Sequence, residues 1–219
     1  MATALSAFLP YVLPHAPGCT DPMAEQVIRS ACIEFCNDTL LVQELVTTSM
    51  LANVQDYDVD VPSNMTMVRL LGVMVRDRWL EGASLETVRS ALALRGNVGG
   101  AVVVTGEPTA FFQKTPSEAG FSVYPIPADT VADAFTIRAA YAPTRTATTV
   151  PDVLFNDWVE EITAGAVSRL LRMASQPFYA VGAADAFRSE FDVALRRAGI
   201  QARTGLVAAA SQVQAVRFF

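Results

Sequence analysis

The sequence predicts an α+β fold: a helical bundle of one N-terminal and two C-terminal helices, a segregated antiparallel β-rich layer, and an extended C-terminal arm. Three observations carry this. Apolar residues recur at steps of three and four near both ends of the chain, they alternate with polar residues through its middle, and the last segment follows neither period. A single domain over 1–200 and a docking arm over 201–219 follow, with the β-rich part inserted at about 55–143.

Residues 1–19 are punctuated by Pro10, Pro14 and Pro17 and are expected to run extended. A helix at about 20–37 follows, capped by Thr20 or Asp21, with Pro22 near its first position, where a missing amide proton costs little. Ile28, Ala31, Cys32 and Phe35 form its buried stripe, and the β-branched stretch Leu40 to Leu51 is open between helix and sheet. Tyr57, Val59 and Val61 alternate with Asp56, Asp58 and Asp60, and Met67 to Val75 is a run fit for a covered strand. Ser84 to Ala93 reads as a short helix with Leu85, Val88 and Leu92 on one side, ending in the loose Gly96-Asn97-Val98-Gly99-Gly100. Phe111 to Lys114, the turn Thr115 to Gly120 and Phe121 to Ile126 form a hairpin, Pro125 and Pro127 put the second strand's end at an edge, and Phe135, Ile137, Ala139 and Tyr141 mark a third strand.

After the threonine-rich linker Thr144 to Thr149, a helix over 151–175 buries Phe155, Trp158, Val159, Ile162, Ala166, Leu170 and Met173. Asp152, Asp157, Glu160 and Glu161 lie in its first half and Arg169 and Arg172 in its last turns, complementing the macrodipole, and Pro177 stops it. The last helix, 183–198, points Phe187, Phe191, Ala194 and Leu195 inward and pairs Asp192 with Arg196, and Gly199 is its expected cap. Gly165, inside a helix where glycine costs about 1 kcal/mol, marks a close approach by a helix of the same chain or of a neighbouring subunit. The tail from Gln201 is too apolar for a solvated terminus, and either folds back or inserts into a partner, as an added strand for example.

Composition bounds the function. Of the 219 residues 52% are apolar, yet they fall in short segments rather than a run of the roughly 18 that a spanning helix needs. The apolar start lacks a basic leader and contains Pro10 and Pro14, so synthesis in the cytosol is expected. A net charge of -6 argues against holding nucleic acid by broad phosphate neutralisation. All basic residues but Lys114 are arginine, which reflects either a GC-rich genome or bidentate subunit contacts.

Candidate chemistry is sparse. His15, Cys19, Cys32 and Cys36 are a possible tetrahedral zinc set, although the paired C-x-x-C signature is missing and Cys32 falls on the buried stripe. A cysteine-histidine nucleophile lacks an orienting carboxylate. The three alternating aspartates lack the glycine-centred loop of a calcium site, Glu160 and Glu161 point in different directions, and the glycine-rich loop lacks a phosphate-binding lysine. No cofactor and no enzymatic activity are expected.

Leu13-Pro14-His15-Ala16-Pro17-Gly18-Cys19, the helix Ala24 to Cys36, the motif Phe121-Ser122-Val123-Tyr124-Pro125-Ile126-Pro127 and the run Pro151 to Leu171 together resemble the head-to-tail adaptor proteins of short-tailed bacteriophages. The resemblance covers most of the chain but not the segment 76–109. It implies a structural virion protein of the tail or neck, made in the host cytoplasm, that forms a ring of about twelve copies closed by rotation beneath the portal. The implied partners are itself, the portal protein, and tail nozzle or fibre proteins; DNA passes without sequence-specific binding, and no membrane is involved. The helices, through Trp158, Gly165, Arg169 and Arg172, would meet neighbouring subunits, and Arg203, Arg217, Phe218 and Phe219 would face the portal. The remaining alternatives are another tail-completion protein, a zinc-stabilised protein, or an unidentified small-molecule enzyme.

Overall fold

The computed structural model describes residues 2–84, 86–88, 104–114 and 119–205, in two compact units. The first joins residues 1–41 to 151–219, and the second is the intervening 42–150.

The first unit is helical. Of residues 1–19, expected to run extended, Ala2–Ala4 is a short strand, but Leu5–Phe8, Leu9–Val12 and Leu13–His15 form successive short helical turns. The spacing of Leu5, Phe8 and Val12 buries all three on one side, and Pro10 and Pro14 occupy early positions of their turns, where no amide proton is needed. Helix α1, Asp21–Thr39, follows the sequence reading, but Thr20 sits at the cap position without a side-chain hydrogen bond. It closes through Leu40 in the left-handed region (φ 53°), while the buried Thr39 hydroxyl donates to the Phe35 carbonyl at 2.6 Å.

The expected helix over 151–175 is two. Helix α2, Asp152–Asn156, stops at Asp157, and α3 spans Val159–Leu170. Trp158 between them leaves helical geometry (φ -137°, ψ 21°), with its ring buried against Phe35 at 5.2 Å. Helix α4 spans Val181–Thr204 and runs through Gly199, so the capping role passes to Gly205, whose φ of 69° suits glycine and whose amide donates to the Gln201 carbonyl at 2.8 Å. The first residues of the expected arm are therefore the last turn of α4. Helix α3 packs against both α1 and α4, and α1 also meets α4. Phe35 lies between Trp158 and Phe191 at the centre of their core.

The second unit is built from β1 (Gln43–Met50), β2 (Asp56–Asp58), β3 (Met65–Val75), β4 (Arg78–Trp79), β5 (Glu81–Gly82), β6 (Thr105–Gly106), β7 (Ala110–Phe112), β8 (Gly120–Tyr124), β9 (Ile126–Pro127) and β10 (Val131–Pro143). One sheet has the order β1-β10-β3-β4 and another β2-β8-β7-β5, with β6 and β9 a separate pair. The expected antiparallel layer needs one correction: β5 with β7 and β6 with β9 run parallel. The β7–β8 hairpin is present, and its Thr115–Gly120 turn lies mostly outside the described residues, as does most of the Ser84–Ala93 helix and all of the Gly96–Gly100 loop.

Strand alternation decides the core. Tyr57 and Val59 are buried while Asp56, Asp58 and Asp60 are exposed. Tyr57, Phe121 and Phe135 meet at centroid distances of 4.9 to 5.7 Å, joining residues of both four-stranded sheets in one core. Irregular register beside Arg138 and Ala140 bends the long β3–β10 pairing.

Candidate functional site

The sequence-nominated interface residues make their contacts within the chain. Trp158 is 2% exposed, and Arg197 covers its ring at 4.8 Å while pairing with Glu161 at 2.6 Å. Gly165 is approached by Phe191 of the same chain; a Cβ there would stand 2.6 Å from the ring. Arg169 donates to the Gly165 carbonyl at 3.0 Å and to the Glu34 carboxylate, which also pairs with Arg188 at 2.9 Å. Glu34 on α1 thus ties α3 and α4 together, and the two guanidiniums flank Phe191 at 5.9 and 5.5 Å. Burial, and then the neighbouring Arg188 charge, makes Arg169 easier to deprotonate than an exposed arginine, with Cys32 acting the other way. Arg172, at the surface, pairs with Asp185 at 2.7 Å.

The zinc candidates do not form one donor set. Cys32 and Cys36 are fully buried on α1. Burial pushes the Cys32 thiol up to about 12, against a lesser opposing effect of Arg169, and raises Cys36 as well, assisted by Cys32. His15 is exposed with its ring against Phe187 at 5.2 Å, and Cys19 is only partly buried. Among the described residues no group of three His, Cys, Asp or Glu is placed to hold a metal. Asp56 is held by Lys114 and Ser122, each at 2.6 Å; desolvation opposes its ionisation, but these hydrogen bonds prevail and lower its pKa.

Two further surfaces stand exposed, and of their residues the sequence marked only Arg203 as a contact residue. On the outer side of α4, Val193 (56% exposed), Arg196, Ile200 (64%) and Arg203 follow at steps of three and four. Among the described residues Arg196 and Arg203 enter no ion pair; Asp38 lines the same groove without pairing with either. In the second unit, register puts Leu45, Arg138 and Gly72 in one row across three strands, and Trp79 folds over Gly72. Leu45 is 68% and Trp79 55% exposed, and Arg138 is aimed by a hydrogen bond of 2.8 Å to Gln43. Exposed tryptophan and leucine beside a half-buried arginine on one sheet face are protein-contact chemistry. The signal for both surfaces was apolar residues breaking the polar side of a helix or strand. Arg203 is exposed in the last turn of α4, whereas Arg217, Phe218 and Phe219 lie outside the described residues.

One family profile, described as SU10 adaptor protein, matches residues 4–215. The chain belongs to the SU10 adaptor protein family. The resemblance to phage head-to-tail adaptors read from the sequence is therefore borne out. Membership in the SU10 adaptor family implies a structural, non-enzymatic phage protein and a place in the virion. No curated protein matches the chain. Among the described residues, no helix is long and apolar enough to cross a membrane.

Proposed function

We propose that the chain is a head-to-tail adaptor that closes into a ring of about twelve copies beneath the portal, joins the portal to the tail and lines the DNA exit channel. The observation that carries this reading is the family match from 4 to 215, which takes in both units. The tail beyond Gly205 reaches the portal, with Arg217, Phe218 and Phe219 as its contacts. A terminal arm that docks on a partner gives a small protein a large contact area. The Leu45–Trp79 face of the second unit receives a nozzle or fibre protein. Trp158, Gly165, Arg169 and Arg172 serve the subunit contact from within, by fixing α3 against α1 and α4. The net charge of -6 favours a channel wall that does not retain DNA.

Negative-stain microscopy of the purified chain, alone and with its cognate portal, tests the proposal. A ring, or a new layer under the portal, is expected. A persistent monomer that leaves the portal bare would overturn the adaptor reading in favour of another tail-completion role.

A further inference from the structure

Resting on the ring reading, we infer that the outer stripe of α4 is one half of the contact between neighbouring copies, and that its other half is the acidic aromatic surface where the Leu9–Val12 turn meets α2 and the start of α3. The stripe is Val193, Arg196, Ile200 and Arg203. Its two arginines have no ion-pair partner among the described residues, although Arg197, next to Arg196, is paired with Glu161. Its two aliphatic side chains stand more exposed than helix packing requires.

The complementary surface belongs to the same unit. Tyr11 is exposed and packs edge-on against Phe155 at 6.1 Å, and Phe155 is only half-buried. Asp157, at the break before Trp158, and Glu160, in the first turn of α3, are exposed and enter no ion pair among the described residues. One surface thus offers two guanidiniums with two aliphatic groups, and the other two carboxylates with two aromatic rings. The surfaces share no residue, so each copy can use both at once. That is the requirement for a heterologous contact, the kind that builds a ring when its rotation closes and that a two-fold dimer does not use. Isolated surface pairs are weak, but desolvated by an apolar contact and repeated around a ring they set register and sign. A second copy is therefore the occupant that the charges select.

The test uses the full-length chain under conditions in which the wild type assembles, alone or on the portal. Arg196→Glu with Arg203→Glu is expected to weaken assembly at least about tenfold, the scale set by losing charge pairs at a contact, read by light scattering and native mass spectrometry. Asp157→Arg with Glu160→Arg should fail in the same way, and mixing the two charge-reversed proteins should restore assembly. Circular dichroism establishes that each variant is folded, and Ile200→Asp gives a variant without arginine changes. Assembly of the arginine variant at wild-type strength, or no recovery in the mixture, overturns this pairing while leaving the ring reading intact. A wild type that forms no ring even on the portal removes both.

Discussion

Two glycines in helices predict opposite outcomes for the same substitution. At Gly165 a methyl group would run into Phe191 at 2.6 Å. Overpacking of this kind costs about 1–3 kcal/mol, against about 1 kcal/mol returned by helix propensity, so Gly165→Ala should lower stability in urea titration, and Phe191→Leu should reduce the difference. At Gly199 the nearest atom to a new Cβ is the Thr39 Cα at 3.9 Å, an ordinary contact. Gly199→Ala should therefore stabilise the chain by about 0.5–1 kcal/mol. The close approach at Gly165 was legible because a mid-helix glycine needs a reason, and the choice between a same-chain and a foreign helix came only from Phe191. Gly199 was misread as a cap because a glycine after an apolar stripe has that signature; Gly205 carries the better one, and its left-handed backbone cannot be seen in sequence. The buried thiols make a further prediction. Cys32 ionises at its ordinary value near 9.0 when unfolded but at about 12 when folded. The unfolded chain therefore binds fewer protons between those values, and stability should fall as pH rises from 9 towards 12. Cys32→Ala should show a shallower alkaline loss; an unchanged slope would refute the buried thiol as a cause.

Elements were legible in proportion to how local their causes are. The stripe of α1 and the alternation around Tyr57 sit within a few residues of one another, and both elements appear where the spacing put them. The break at Asp157–Trp158 carries no proline or glycine; it reflects the burial of Trp158 beside Phe35, a residue from another helix. The Leu5–His15 turns were hidden by prolines that favour an extended reading, although the same prolines suit first helical positions. The Glu34–Arg169 tie joins residues 135 apart, so no spacing pattern announces it. At this scale the two tryptophans provide a direct probe. Trp79 is half-exposed and Trp158 buried, so acrylamide should quench one emission component strongly and the other weakly. Trp79→Ala should remove the accessible component while the thermal midpoint stays within a few degrees, as for a change of about 1 kcal/mol or less. Loss of the shielded component instead would contradict the placement of Trp79.

Among the described residues each unit presents exposed apolar side chains, and the chain as a whole has an acidic balance. Duplex DNA at physiological salt should therefore give no retained complex in a mobility-shift assay, because phosphates meet a net charge of -6. Retention that weakens steeply with salt would point to a local basic patch, for which the unpaired Arg196 and Arg203 are the candidates among the described residues. Truncation after Gly205 should leave the melting transition in place and abolish portal binding, since α4 ends there with its cap intact; a lost transition would put the tail in the core. The chain leaves the helical unit at Leu41 and returns to it at Pro151. The intervening strands are thus a guest held at both ends, and the host is assembled from two distant pieces that grip each other through Glu34, Phe35 and Phe191. A protease cut in the guest would sever the polypeptide without separating the host. Over evolutionary time the same arrangement would let the inserted strands be exchanged while the helical host keeps its own core.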